Sequence, residues 1–174
     1  MLSETIAKAL NDQVNAEMAS AYLYLSMSAW AEDAGFKGAA SWLYSQTQEE
    51  MAHAMHMYQY VLDRGAKPAL QVLEAPASDF AGLRDIFERV LAHERMVTGR
   101  LNAIASLAMK EADHACYQFI MWYVNEQVEE EASASDVLAK LSMIGENTGL
   151  LLALDKELGT RVYTNPFPGD AKLG

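Results

Sequence analysis

Glu50 and His53 carry the chemistry most plainly. They stand in the run Gln48-Glu49-Glu50-Met51-Ala52-His53. Three residues apart on a helix, their side chains share one face, one turn apart. Leu43 lies seven residues before Glu50, Met57 seven after it, and Tyr60 seven after His53. A seven-residue step returns to nearly the same helix face, so the pair points where a core belongs. A buried carboxylate must be paired, protonated or bound to a cation.

The same signature recurs. Glu17 falls on a stripe with Leu10, Tyr24 and Ala31. Glu94 falls with Phe87, Leu101 and Ala108, and Glu130 with Cys116, Tyr123 and Val137. One buried Glu is compatible with a satisfied structural residue. Four carboxylates converging in one core would repel one another and raise each other's pKa unless cations lay between them. Carboxylates with an imidazole and no thiolate suit iron or manganese, and zinc can use such a set. Beside them, Glu49, Glu126, Glu129 and Glu131 are either a solvated acidic face or a further cation position. Tyr24 reads from spacing alone as a core aromatic or as an electron or proton donor near the metals.

The elements that must hold these residues are long helices. The first is expected over about Ser3–Asp33, with Ser3 as N-cap and Gly35 and Gly38 beyond its end. The second runs over about Ala39–Arg64 and stops at Gly65 and Pro68. An irregular link follows to about Ser78, too long for a hairpin turn and read as a crossover. The third helix is expected from near Asp79 to Lys110 and the fourth from near Asp113 to Met143. A short fifth covers about Glu146–Leu158, and an irregular tail runs over 164–174. The expectation is an all-α fold: one domain over 1–174, a four-helix bundle over about 3–143 with a long crossover between helices two and three, and a short fifth helix.

Composition agrees. The 174 residues suffice for one full core, and 51% of them are hydrophobic. With 24 acidic against 13 basic residues the net charge is −11, which suits cations and speaks against a nucleic-acid partner. A single cysteine, Cys116, excludes an intrachain disulfide framework and a thiolate zinc site. There is no signal-peptide pattern and no membrane-spanning run, so a cytoplasmic location without a membrane partner is expected.

At these residues the chain resembles the bacterial non-haem ferritins, of the ferritin-like di-iron family. The resemblance spans about Met1–Asn165. It rests on Asn15-Ala16-Glu17, on Gln48 to His53, on Glu94, and on Trp122-Tyr123-Val124-Asn125-Glu126-Gln127-Val128-Glu129-Glu130-Glu131. It implies an iron-storage ferroxidase that oxidises Fe(II) with O2 or H2O2 and stores a ferric oxyhydroxide mineral. Glu17, Glu50 and His53 would hold one iron, with Glu50 bridging to a second held by Glu94 and Glu130. Gln127 would orient a bound water or oxygen species. Glu49, Glu126 and Glu129, with Glu130, would form a third iron site, and Tyr24 would serve redox chemistry beside the centre. The resemblance also implies a homo-oligomeric shell of twenty-four subunits, with the fifth helix at its four-fold axes.

The fourth helix carries Gln127-x-x-Glu130 with Ser133 three residues on, where bacterioferritins repeat Glu-x-x-His. No haem is therefore expected. Met51 alone matches the haem-ligating position of bacterioferritins, so a haem-containing bacterioferritin, or a di-iron oxidoreductase, stands as the alternative.

Overall fold

The computed structural model describes residues 1–168 and is all-α over that range, with helices α1 (Glu4–Asp33), α2 (Lys37–Asp63), α3 (Leu83–Lys110), α4 (His114–Ile144) and α5 (Thr148–Leu158). Residues 169–174 of the expected tail lie outside the described residues; 161–168 are irregular, three residues earlier than the expected start at Thr164. No helix among the described residues is long and apolar enough to cross a membrane.

The chain divides into two compact units. One comprises Met1–Phe80 with Leu152 onward, the other Ala81–Leu151. In the first unit α1 packs on α2. Ser3 caps α1, its hydroxyl accepting from the Ile6 N–H at 3.1 Å. The chain turns at Gly35, whose φ of 87° suits a residue without a side chain. Leu10, Val14, Tyr24, Met27 and Ala31 of α1 and Leu43, Ala54, Met57 and Val61 of α2 are buried, as the seven-residue stripes require.

The link after α2 lies along α1. Asn11 and Asn15 both donate to the Ala69 carbonyl, at 3.1 and 3.0 Å, and Asn15 Oδ1 accepts from the Gln71 N–H at 2.7 Å. Further on, Ser26 donates to the Ala77 carbonyl at 2.8 Å. From Asn11 to Ser26 the link thus follows about 22 Å of helix at 1.5 Å per residue. Asn15 is therefore a strut for the crossover as well as a neighbour of Glu17.

The start of α5's descent to the tail is fixed by α2. Both carboxylate oxygens of Asp155 accept from the first turn of α2, from Gly38 N–H at 3.1 Å and Ala39 N–H at 2.9 Å. This satisfies donors that every helix start leaves open. It also demands glycine: a Cβ on Gly38 would lie 1.6 Å from the Asp155 carbonyl oxygen.

In the second unit α3 packs on α4. α3 starts at Leu83, four residues later than the expected Asp79. Phe80 is buried edge-on to Trp30, with ring centroids 6.0 Å apart, so the chain is tied down there before it can coil. Gly82 then caps the helix, and the Asp85 carboxylate reaches back to the Ala81 N–H at 3.0 Å. Asp113 caps α4, accepting from the Cys116 N–H at 3.0 Å. Gly145 closes it, and α5 opens at Thr148, two residues after the expected Glu146.

Candidate metal centre

The first unit brings Glu17, Glu50 and His53 together. All three are buried, at 1%, 2% and 4% exposure. Each offers a ligand atom, and these atoms lie within 4.8 Å of one another. α1 supplies Glu17 from its midpoint, and α2 supplies the other two from successive turns of one face. His53 Nδ1 stands 3.8 Å from Glu50 Oε2.

A residue the motifs did not single out orients the group. Gln13, one turn before Glu17, donates from Nε2 to Glu17 Oε1 at 2.8 Å. The other oxygen, Oε2, is buried and accepts no hydrogen bond. A buried carboxylate oxygen without a donor is costly and is what a cation would satisfy. Burial lowers the His53 pKa below its usual value; the nearby Glu17 charge opposes this and His56 adds to it. Burial thereby favours the neutral imidazole, the form that lends a lone pair to a metal.

The second unit holds two more expected ligands, Glu94 and Glu130, and the expected positioning residue Gln127. Glu94, Gln127 and Glu130 are buried at 0%, 5% and 5% exposure. Gln127 Nε2 donates to Glu94 Oε2 at 3.2 Å, which ties α4 to α3, and Gln127 Oε1 is buried without a hydrogen-bond partner. Tyr24, in the first unit, is fully buried.

The acidic run around them is not uniform. Glu131 leaves the cation-binding candidates: Thr98 Oγ1 donates to it at 2.6 Å and Arg95 lies at 3.6 Å. Glu126 is half-buried and Glu129 exposed. Glu49 is half-buried, with a pKa raised by burial and opposed by the Arg161 guanidinium, which forms an ion pair with it. No spacing rule could have signalled that partner, because Arg161 follows the last helix. Met51, the haem-position match, is exposed beside Tyr22, Leu25 and Leu73.

Long helical hairpins with carboxylates at mid-length define the class, and the relatives name it. Residues 7–144 match the family model described as a ferritin-like domain, and the chain belongs to the ferritin family. It is 39% identical over 159 residues to a probable bacterial non-heme ferritin-like protein of Haemophilus influenzae, covering 91% of this chain and 96% of that one. It is 37% identical over 160 residues to a bacterial non-heme ferritin of Escherichia coli O157:H7, covering 92% and 97%. Among solved structures it matches an engineered closed form of the Archaeoglobus fulgidus ferritin with a TM-score of 0.92 at 48% identity, over 94% of this chain and 100% of that one. An open-pore ferritin from the same archaeon matches with a TM-score of 0.91 at 48% identity, over 92% and 98%. The fold class is thus the ferritin-like four-helix bundle expected from the sequence, with its link between helices two and three and its short fifth helix.

Proposed function

We propose that this chain is an iron-storage ferroxidase, and that Fe(II) is its substrate. The observation that carries the reading is the Glu17, Glu50 and His53 group: three buried side chains able to hold a metal ion, one carboxylate oxygen without a donor, and an imidazole whose neutral form burial favours. The donor set is oxygen-rich with one nitrogen, which suits iron. Glu17, Glu50 and His53 take one Fe(II). Glu94 and Glu130 take a second, with Glu50 as the bridge, in the pattern that the ferritin motifs imply.

Oxidation removes one electron from each Fe(II). Dioxygen accepts the two electrons with two protons to give H2O2, or H2O2 accepts them to give water. The chain's part is electrostatic. Carboxylates stabilise the higher charge of the Fe(III) product, and a dry site makes each of these interactions stronger than in water. Gln13 holds Glu17 in place throughout, and Gln127 holds Glu94 while its carbonyl oxygen is available to a bound water. Tyr24 serves as a redox partner. Glu49, Glu126 and Glu129, with Glu130, take a third iron on its way to the store. Ferric product hydrolyses and grows as oxyhydroxide inside a shell of twenty-four copies. The names of the relatives support a non-haem store over a haem-bearing one.

Stopped-flow oxidation of Fe(II) tests the reading. Glu50→Ala removes a ligand to both irons and should abolish the fast phase while leaving the assembled shell intact. An unchanged fast phase would overturn the role given to Glu50. Haem absorbance in the purified protein would favour a bacterioferritin, and tight iron binding without mineral a di-iron oxidoreductase.

A further inference from the structure

The chain does not end its work at α5. Beyond Leu158 it turns through Gly159 and Thr160 and runs irregularly past α2. Four contacts fasten it there. Arg161 forms its ion pair with Glu49, the two side chains only 25% and 16% exposed. The same guanidinium lies over the Trp42 ring, 4.7 Å from its centroid. Phe167 stacks on His56 at 3.8 Å and meets the His53 ring edge-on at 6.1 Å. Trp42, Glu49, His53 and His56 are spaced seven, four and three residues apart, so they line one face of α2.

The segment is shaped for this. Its base is anchored where Asp155 caps α2, and its tip is set by a local turn in which Asn165 Oδ1 accepts from the Phe167 N–H at 2.9 Å. Cation and ring at the two ends thus straddle the residue that follows directly in the helix from Glu49, the proposed ligand Glu50.

We propose that residues 161–167 are a latch on Glu49, with Arg161 as the resident counter-cation that a metal ion must displace to use that carboxylate. The inference rests on the reading of Glu49 as an iron ligand. A guanidinium is always charged and holds a carboxylate in fixed geometry, so it competes directly with a divalent ion for the same oxygens. Its effect is to keep the Glu49 position weak. Iron passes through rather than lodging there, while the buried Glu17, Glu50 and His53 group, which Arg161 does not touch in any described contact, stays strong. Arg161 is accordingly a positioning residue that tunes affinity.

The test uses Zn(II), a redox-inert probe, titrated calorimetrically into the assembled protein. Arg161→Gln should tighten the weakest class of Zn(II) sites about fivefold, the most that a partly exposed ion pair withholds. Arg161→Lys, which keeps the charge but not the fork geometry or the seat on Trp42, should fall between wild type and Arg161→Gln. Glu49→Gln should remove that class, and in its presence Arg161→Gln should change nothing. In the wild-type protein, filling the weak class should shift the emission of Trp42 as the guanidinium leaves its ring, and Trp42→Phe should abolish the shift. This second readout needs no Arg161 variant to fold. The latch is overturned if Arg161→Gln leaves the weak class unchanged, if Trp42 emission stays constant as it fills, or if Glu49→Gln has no effect on Zn(II) binding. The wider ferroxidase reading is judged separately, by whether Glu50→Ala removes the tight class.

Discussion

Gln13 Nε2 lies 2.8 Å from Glu17 Oε1, and that one bond decides which oxygen of Glu17 is left for a cation. Oε2 remains buried without a donor, and Glu17 offers a carboxylate oxygen within 4.8 Å of ligand atoms of Glu50 and His53. A ligand held by a partner binds with less rotamer freedom to lose, and removing such partners typically costs about 10–100-fold in metal affinity. Gln13→Ala should therefore weaken anaerobic Fe(II) binding at the tight site about tenfold, measured by calorimetry. Unchanged affinity would show that Glu17 needs no such brace.

The His53 imidazole gives a pH dependence with a definite sign. Burial lowers its pKa in the folded protein relative to the ordinary value near 6.5. The unfolded chain then binds the extra proton more readily. The stability that a neutral His53 confers is complete above about pH 6.5 and is lost as the pH falls below it. The iron-free protein should lose thermal stability between about pH 7 and 5, and His53→Gln, which carries no titrating group, should lose less. Parallel melting curves for the two proteins over that range would contradict the assignment.

Much of this was legible before any coordinates. The seven-residue steps put Glu17, Glu50, Glu94 and Glu130 on apolar stripes, and all four are buried. Ser3 reads as a cap and is one, and the fourth helix starts where expected, with Asp113 as its cap. Local rules failed where a distant residue intervened. Asp79 resembles a helix start, yet Phe80 is buried edge-on to Trp30, and Gly82 with Asp85 begins α3 instead. Arg161 and Phe167 carry no periodicity, since they meet α2 after more than a hundred residues of intervening chain. For Gln13, the one-turn spacing to Glu17 was the signal that could have assigned it.

Among the described glycines, Gly38 leaves the least room for a side chain. A methyl group there would overlap the Asp155 backbone, so Gly38→Ala should destabilise the protein by about 3 kcal/mol or more, at the upper end of overpacking. Asp155→Ala removes the cap on α2 and should cost about 1 kcal/mol. Denaturant unfolding of assembled protein measures both. A silent Gly38→Ala would mean that α5 does not dock on α2 in solution.

Asn15 ties the link to α1 through two residues, Ala69 and Gln71. Its replacement by Ala should raise hydrogen exchange across 66–78 and cost about 1–2 kcal/mol, the typical loss of bonds to a buried amide. Exchange in α3 should be unaffected. Equal exchange in the link of both proteins would show that Ser26 and Asn11 hold it alone.

The central claim is that this chain oxidises Fe(II) at a carboxylate centre and stores the product. Aerobic titration of the iron-free protein with Fe(II), followed by absorbance and by sizing of the product, tests it most directly. The account predicts fast oxidation of the first two to three irons per chain, counted from the proposed ligand sets, followed by slower mineral growth within a large shell of constant outer size. Iron that stays unoxidised beyond the buffer rate, or that precipitates outside the protein, would contradict it.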